Sequence, residues 1–182
     1  SAANKSDIPV IFCAVSDPVA AGLTESLEAG YNNCNGTSDI LDFSAQVDLI
    51  QSIQPDVKKI GVLYTTTEAN SMSQLESFKA VCTEKGIEVV DQGVSGAADI
   101  PQAATTMASP VACINNFTDN NVVNNLSIVL EKANAANIPV YGSEIEQVKN
   151  GCLASISIDY IALGKKTAEM GVEVLNGTDP KT

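Results

Sequence analysis

The sequence contains no histidine, no tryptophan and no arginine, and all ten of its basic residues are lysine. The absence of histidine removes the usual general base of enzymes and the commonest metal ligand. The formal net charge of −12 argues against nucleic acid or an anionic membrane surface as a partner, since both demand clustered positive charge. No apolar run approaches the ~20 residues that cross a bilayer.

Cysteine is sparse, with five residues among 182, and none of them forms a C-x-x-C pair. An odd count in a chain of this length argues against a disulfide framework. We interpret the five as small buried apolar residues. The chain opens without an initiator Met, as SAANKSDIPV, which is typical of a processed chain or an excised piece.

Short apolar runs alternate with longer amphipathic patterns, which predicts an α/β fold with parallel sheets flanked by helices. The helix that begins near Met72 is expected to stop at Gly86. Strands are predicted at 9–15, 59–64, 87–94, 111–115, 138–142 and 152–158, and helices at 18–28, from Phe43 to Pro55, from Met72 to Gly86, after Asp99, at 122–136 and at 161–175.

Hydroxyl and carboxylate side chains follow four of the predicted strands, each at the start of a predicted helix. In open parallel sheets, ligands bind beyond the carboxyl ends of the strands, where helix N-termini point. Ordinary N-capping by Ser, Asp and Asn explains the same residues without a ligand, and the pattern alone leaves both interpretations open. The four strand ends read SDP at 16–18, TTTEANS at 65–71, NFTDNN at 116–121 and DY at 159–160.

Four of the eight aromatic residues lie at or just beyond the ends of predicted strands, namely Tyr64, Phe117, Tyr141 and Tyr160. This grouping suits a pocket with apolar walls and a few polar groups. Core packing is the alternative use of each ring.

With these strand ends assembled, the chain resembles the extracytoplasmic substrate-binding proteins of ABC transporters, in the branch that includes tryptophan- and tyrosine-binding members. The likeness runs through the whole chain in one order. The matching segments are IPVIFCAVSDPVAAGL, KKIGVLYTTTEANS, GIEVV, FTDNN, IPVYGSE, VKNGCLASISIDY and LGKKTAEMGVEVLNG.

The resemblance implies a type I periplasmic-binding-protein fold, with two lobes and a cleft that closes on the solute. Residues 1–45 then end the N-terminal lobe, residues 46–158 form the C-terminal lobe with the hinge, and residues 159–182 return to the N-terminal lobe. Family members begin upstream of this chain, so one lobe is expected to be near complete and the other partial. A partial lobe exposes apolar surface, which favours self-association or association with another chain.

The resemblance also assigns site residues. It places Ser16 and Asp17 at the N-lobe edge of the cleft, and Glu68, Asn70, Ser71, Thr118, Asp119 and Asp159 on the C-lobe side. An amino-acid-like solute would place its carboxylate at backbone N–H groups where the Asn70 helix begins. Asp119 is the first candidate for its ammonium group and Asp159 the second. Tyr64, Phe117 or Tyr160 would wall its side chain.

The function that follows is the binding component of an ABC importer, with a membrane permease as partner, no cofactor and no catalysis. The resemblance implies extracytoplasmic placement, periplasmic or at the cell surface, with lipid anchoring as one form of it. Two alternatives stay open: a ligand sensor of the same fold, and an enzyme that uses Glu68 and Asp119 as acid and base. No cofactor motif and no nucleophile beside a base supports the enzyme.

Overall fold

The architecture is taken from a computed structural model that describes residues 8–181. The chain forms two compact units. The smaller unit combines the chain up to Ile40 with the chain from Ile158 onward, and the larger unit is Leu41–Ser157.

The elements follow one another as strands and helices typical of an α/β chain. In order they are β1 (Val10–Phe12), β2 (Cys34–Gly36), α1 (Phe43–Ile53), β3 (Lys59–Thr65), α2 (Ala69–Glu84), β4 (Glu88–Val94), a 3₁₀ turn (Ala97–Asp99), α3 (Ile100–Ala108), β5 (Cys113–Asn115), α4 (Asn120–Asn124), α5 (Leu126–Ala135), β6 (Val140–Tyr141), α6 (Ile145–Lys149) and α7 (Tyr160–Leu175).

In the smaller unit, β1 and β2 pair in parallel and α7 packs against β1. The helix predicted at 18–28 is wrong, because this stretch contains turns and bends. A single turn forms, in which the Leu23 N–H donates to the Pro18 carbonyl at 2.9 Å. It does not propagate, since Gly22 adopts a φ of +66° and reverses the chain. Strand β2 was not predicted, because its three residues lie in a segment rich in turn formers.

The larger unit contains a four-stranded sheet in the order β4-β3-β5-β6, with every pair parallel. The predicted α/β class and parallel sheet are confirmed. The strand predicted at 152–158 is wrong, because this stretch has no ladder of its own. Only two backbone hydrogen bonds hold it beside β6, from Leu153 N–H to the Val140 carbonyl and from Gly142 N–H to the Ala154 carbonyl.

Helices cover both faces of the sheet, because the side chains of β3 alternate between two buried surfaces. On one face Leu63 packs with the apolar residues of α3 and α5. On the other, the stripe Phe43, Val47 and Ile50 of α1 is buried, as its spacing predicts. Gly61 admits α3 closely, since a Cβ at this position would lie 2.5 Å from Met107 Sδ.

Helix ends follow the sequence signals with two exceptions. Helix α2 stops at Glu84 just before Gly86, whose φ is +69°. The helix predicted at 122–136 is divided into α4 and α5 at Asn125. Asp99 precedes α3 but does not cap it, since its carboxylate accepts from the backbone N–H and the hydroxyl of Ser95.

Four of the five cysteines are buried as expected, whereas Cys13 is exposed, and all five are free thiols. Within residues 8–181, no group of three or more His, Cys, Asp or Glu side chains is arranged to hold a metal ion. None of the helices in this part of the chain has both the length and the apolar content needed to cross a bilayer.

Candidate functional site

The carboxylate of Asp119 joins the ends of β3 and β5 to the starts of α2 and α4. One oxygen, Oδ2, accepts from the Thr65 backbone N–H at 2.6 Å and from the Ser71 hydroxyl at 2.7 Å. The other, Oδ1, accepts from the Thr65 hydroxyl at 2.8 Å and from the Val122 backbone N–H at 2.9 Å. Asp119 is therefore both the N-cap of α4 and a clamp on the loop after β3.

These four bonds use the acceptor sites of the Asp119 carboxylate, which offers about four lone-pair positions. The residue is fully buried. An ammonium group would have to displace protein donors to reach it. Asp119, the first candidate for the ligand's ammonium group, therefore has its acceptor positions occupied by protein donors. The structure does bring Asp119 and Ser71 together, as the sequence predicted for the site.

Glu68, which directly precedes α2, and Asn70 in the first turn of α2 hold the start of this helix to the segment after β5. The Glu68 carboxylate accepts from the backbone N–H of Asn120 at 3.2 Å and from its side-chain amide at 2.9 Å. Asn70 donates to the Thr118 carbonyl at 3.4 Å, and Gln74 donates to the Thr118 hydroxyl at 2.7 Å. Four predicted site residues, Glu68, Asn70, Ser71 and Thr118, thus meet around Asp119.

Helix α2 begins without a side-chain cap. The side chain of its N-cap residue, Glu68, makes no hydrogen bond to the first turn, and the first turn carries no acidic residue. A helix N-terminus carries a partial positive charge and unpaired N–H donors, which suits a bound carboxylate. The feature matches the place where the sequence expected an acid group to bind.

The aromatic residues at the ends of the strands in the larger unit differ in burial. Phe117 is fully buried and packs between Phe43 and Phe78, with ring centroids 5.4 and 5.6 Å away, so it is a core residue. Tyr64 is half-buried and lies over Gly93, where a Cβ would be 3.1 Å from its hydroxyl. Tyr141 is buried and donates to Gln54 at 3.1 Å, and burial raises the pKa of its phenol to about 12.

A second polar cluster of the larger unit consists of side-chain amides at the end of β5. Gln46 donates to Asn115 Oδ1 at 2.8 Å, and Asn116 donates to Gln147 Oε1 at 3.1 Å. Two buried atoms of this cluster, Asn115 Nδ2 and Asn116 Oδ1, have no partner among the described residues. The sequence analysis did not assign site roles to Asn115, Asn116 and Gln147. The two consecutive asparagines at the end of a buried strand were the feature that could have indicated them.

In the smaller unit, the two predicted carboxylates accept hydrogen bonds from nearby backbone N–H groups. Asp17 accepts from the Ala20 backbone N–H at 2.8 Å and Ser16 precedes it, half-buried. Asp159 is exposed and caps α7, where its Oδ1 accepts from Ile161 N–H at 3.0 Å and Ala162 N–H at 2.9 Å. Both carboxylates remain accessible to water.

Asp39 is the carboxylate that sequence reasoning missed. It follows β2 and is only 6% exposed. Its Oδ2 accepts from the Tyr160 hydroxyl at 2.9 Å, whereas its Oδ1 has no partner among residues 8–181. The signal was present in the segment CNGTSD, but a three-residue strand gives too short an apolar run to reveal a strand end.

A concave surface occurs in each of the two units. One, of about 230 Å³, lies in the smaller unit beside Phe12, Leu27 and Met170. Another, of about 310 Å³, lies in the larger unit beside Gln92 and Asp99. None of the ten predicted site residues lines either one. The candidate site is therefore defined by polar geometry at strand ends.

Comparison with known protein families gives a match over the whole chain. Residues 1–182 match the family model described as ABC transporter substrate binding protein. Among curated proteins, a tyrosine-binding protein of Clostridioides difficile is 40% identical over 171 residues. That alignment covers 94% of this chain and 50% of the relative, so the chain spans about half the length of the curated relative it matches.

Solved structures agree with the sequence match. A Streptococcus pneumoniae ABC domain crystallised in complex with L-Trp has a TM-score of 0.91 at 36% identity, covering 99% of this chain and 61% of the other. A LacI-family transcriptional regulator from Bifidobacterium animalis has a TM-score of 0.59 at 12% identity over 100% of this chain and 74% of its own. At that identity the likeness concerns the fold alone, which is of the type I periplasmic-binding-protein kind.

Proposed function

Because this chain belongs to the family of ABC transporter substrate-binding proteins, we propose that it binds an amino acid with an aromatic side chain for import. One relative reported above is named a tyrosine-binding protein, and another was crystallised in complex with L-Trp. The structural observation that carries the proposal is the uncapped N-terminus of α2, surrounded by polar strand-end loops. A ligand carboxylate is the group that such a helix end accommodates.

We assign the predicted residues two kinds of role. Asp119 and Phe117 position the site without contacting the ligand. Asp119 does so by hydrogen bonds and Phe117 by ring packing. Ser71 contributes its backbone N–H at the start of α2, since its hydroxyl is held by Asp119. The proposed direct contacts are Ser16, Asp17, Tyr64, Glu68, Asn70, Thr118 and Asp159.

The cellular location and the partners of the protein are part of the same proposal. Substrate-binding proteins of ABC transporters are extracytoplasmic and deliver solute to a membrane permease, so we propose both for this chain, with a lipid anchor as one form of attachment. An interlobe cleft as the binding place rests on the resemblance alone. Self-association is proposed from the exposed apolar side chains of α7, among them Ile161, Val172 and Leu175.

The two alternatives are less well supported. Catalysis by Glu68 and Asp119 needs groups that exchange protons with a substrate, whereas Asp119 is fully buried and accepts four hydrogen bonds from the protein. A sensor role draws on the fold shared with LacI-family regulators, and a shared fold does not carry function.

A thermal-shift screen of the chain against the proteinogenic amino acids tests the proposal. A ligand that binds only the folded form adds about 2.7 kcal/mol to the free energy of unfolding at a hundredfold excess over its dissociation constant. We expect a rise of several degrees in Tm with L-Tyr or L-Trp, and no rise with L-Asp or L-Lys. Equal Tm values across the whole panel would contradict the proposal.

A further inference from the structure

We infer that Asp39 is the carboxylate that binds the ammonium group of the ligand, an assignment that rests on the proposed function. The observation behind it is the unpartnered Oδ1 of this residue. A carboxylate that is 94% buried and receives one hydrogen bond lacks the donors that buried charges require. A cation that arrives with the ligand would supply them.

Within the described part of the chain, no protein donor bonds Asp39 Oδ1. Helix α7 lies along the chain after β2, since Thr167 pairs with Thr37 at 2.6 Å and Tyr160 reaches Asp39. The first N–H groups of α7 are already taken by Asp159, its own N-cap. Among the described lysines, none forms an ion pair with Asp39.

The other candidate carboxylates are satisfied without a ligand. Asp119 accepts four hydrogen bonds from protein donors. Glu68 accepts from two neighbouring asparagines, and Asp159 caps a helix in contact with water. The unpaired amide atoms of Asn115 and Asn116 are neutral, so they demand a polar partner but not a cation. Among residues 8–181, Asp39 is the one position that combines burial, charge and an open acceptor.

The geometry also accounts for why Asp39 stays ready to bind. Oδ2 is held by the Tyr160 hydroxyl, which fixes the plane of the carboxylate. An α-ammonium group can then donate to Oδ1 in a charge-assisted hydrogen bond, and such bonds are about twice as strong as neutral ones.

Isothermal titration calorimetry with matched ligands tests this assignment. L-tryptophan and indole-3-propionate share the indole ring and the carboxylate, and they differ in the ammonium group. We expect the unsubstituted protein to prefer L-tryptophan by about 30-fold or more, on the order of one charge-assisted hydrogen bond. In Asp39→Asn, which keeps the size of the side chain, the preference should fall to within about threefold.

The ratio of the two affinities is taken within one variant, so it does not depend on the fraction of protein that is folded. Asp56→Asn, an exposed position between α1 and β3, is the control and should keep the full preference. An Asp39→Asn variant that keeps the preference for L-tryptophan overturns the inference and leaves the proposed function intact. Failure of the unsubstituted protein to bind any amino acid overturns both.

Discussion

The carboxylate of Asp119 accepts both the backbone N–H and the hydroxyl of Thr65, at 2.6 and 2.8 Å. This pair connects the last residue of β3 to the segment that follows β5. Because Ser71 and Val122 donate to the same carboxylate, one buried side chain sets the position of two loops and two helix starts. The positions of the loops in the candidate site therefore depend on the hydrogen bonds to Asp119.

Replacing Asp119 by Asn should lower the free energy of unfolding by about 3 kcal/mol, because an amide nitrogen would face donors that lose their acceptor. Urea denaturation followed by circular dichroism measures the change. Asp56→Asn, at an exposed position, should stay within about 0.5 kcal/mol of the unsubstituted protein. If the Asp119→Asn protein were as stable as that control, the claim that Asp119 holds these loops in place would be wrong.

Phe117→Leu separates core packing from ligand contact. Loss of the ring contacts to Phe43 and Phe78 should reduce the free energy of unfolding by about 1.5 kcal/mol. Since the ring is fully buried, the affinity of the folded protein for L-Trp should change by less than about threefold. A loss of affinity greater than tenfold at unchanged stability would instead place Phe117 in the ligand contact.

The close packing of the Tyr64 side chain against position 93 requires a glycine there. In Gly93→Ala, the new Cβ would lie 2.7 Å from Thr66 Cγ2 and 3.1 Å from the Tyr64 hydroxyl, so these side chains must move. We expect a loss of about 1–2 kcal/mol in the free energy of unfolding and an altered tyrosine fluorescence spectrum. Gly96→Ala, where nothing lies within 4 Å, should change neither quantity, and a matching loss there would refute the steric argument.

The thiols should differ sharply in reactivity. Cys13 is exposed, whereas the other four are buried, and burial raises the pKa of Cys82, Cys113 and Cys152 to about 12. Because the thiolate is the nucleophile, Ellman's reagent at pH 8 should modify one thiol quickly in the native protein and all five in denaturant. The fast phase should disappear in Cys13→Ser. A fast phase that persists in this variant would show that a buried thiol is accessible.

Hydrophobic periodicity predicted most of the larger unit, because its longest elements, β3, β4, α1 and α2, are long enough to show their pattern. The same reasoning failed where single residues decide. Gly22 ends the turn after Pro18 through its positive φ, and no apolar pattern reveals that. The segment from Cys152 has the composition of a strand, yet it finds only two backbone partners beside β6.

For the site, the sequence located the loops but not the state of each side chain. It selected Asp119 because a carboxylate follows a strand, and burial with four donors is a property of the folded chain alone. It missed Asp39 for the opposite reason. That carboxylate follows the short strand β2, and its open oxygen becomes evident only when Tyr160 is seen beside it.

The most direct test of the central claim, binding of an aromatic amino acid, is the fluorescence anisotropy of L-Trp titrated with the protein. The chain contains no tryptophan, so all indole emission comes from the ligand. The account predicts a saturable rise in anisotropy with one ligand per chain, reversed by L-Tyr. Anisotropy that stays at the value of free L-Trp up to millimolar protein, with the chain folded by circular dichroism, would contradict it.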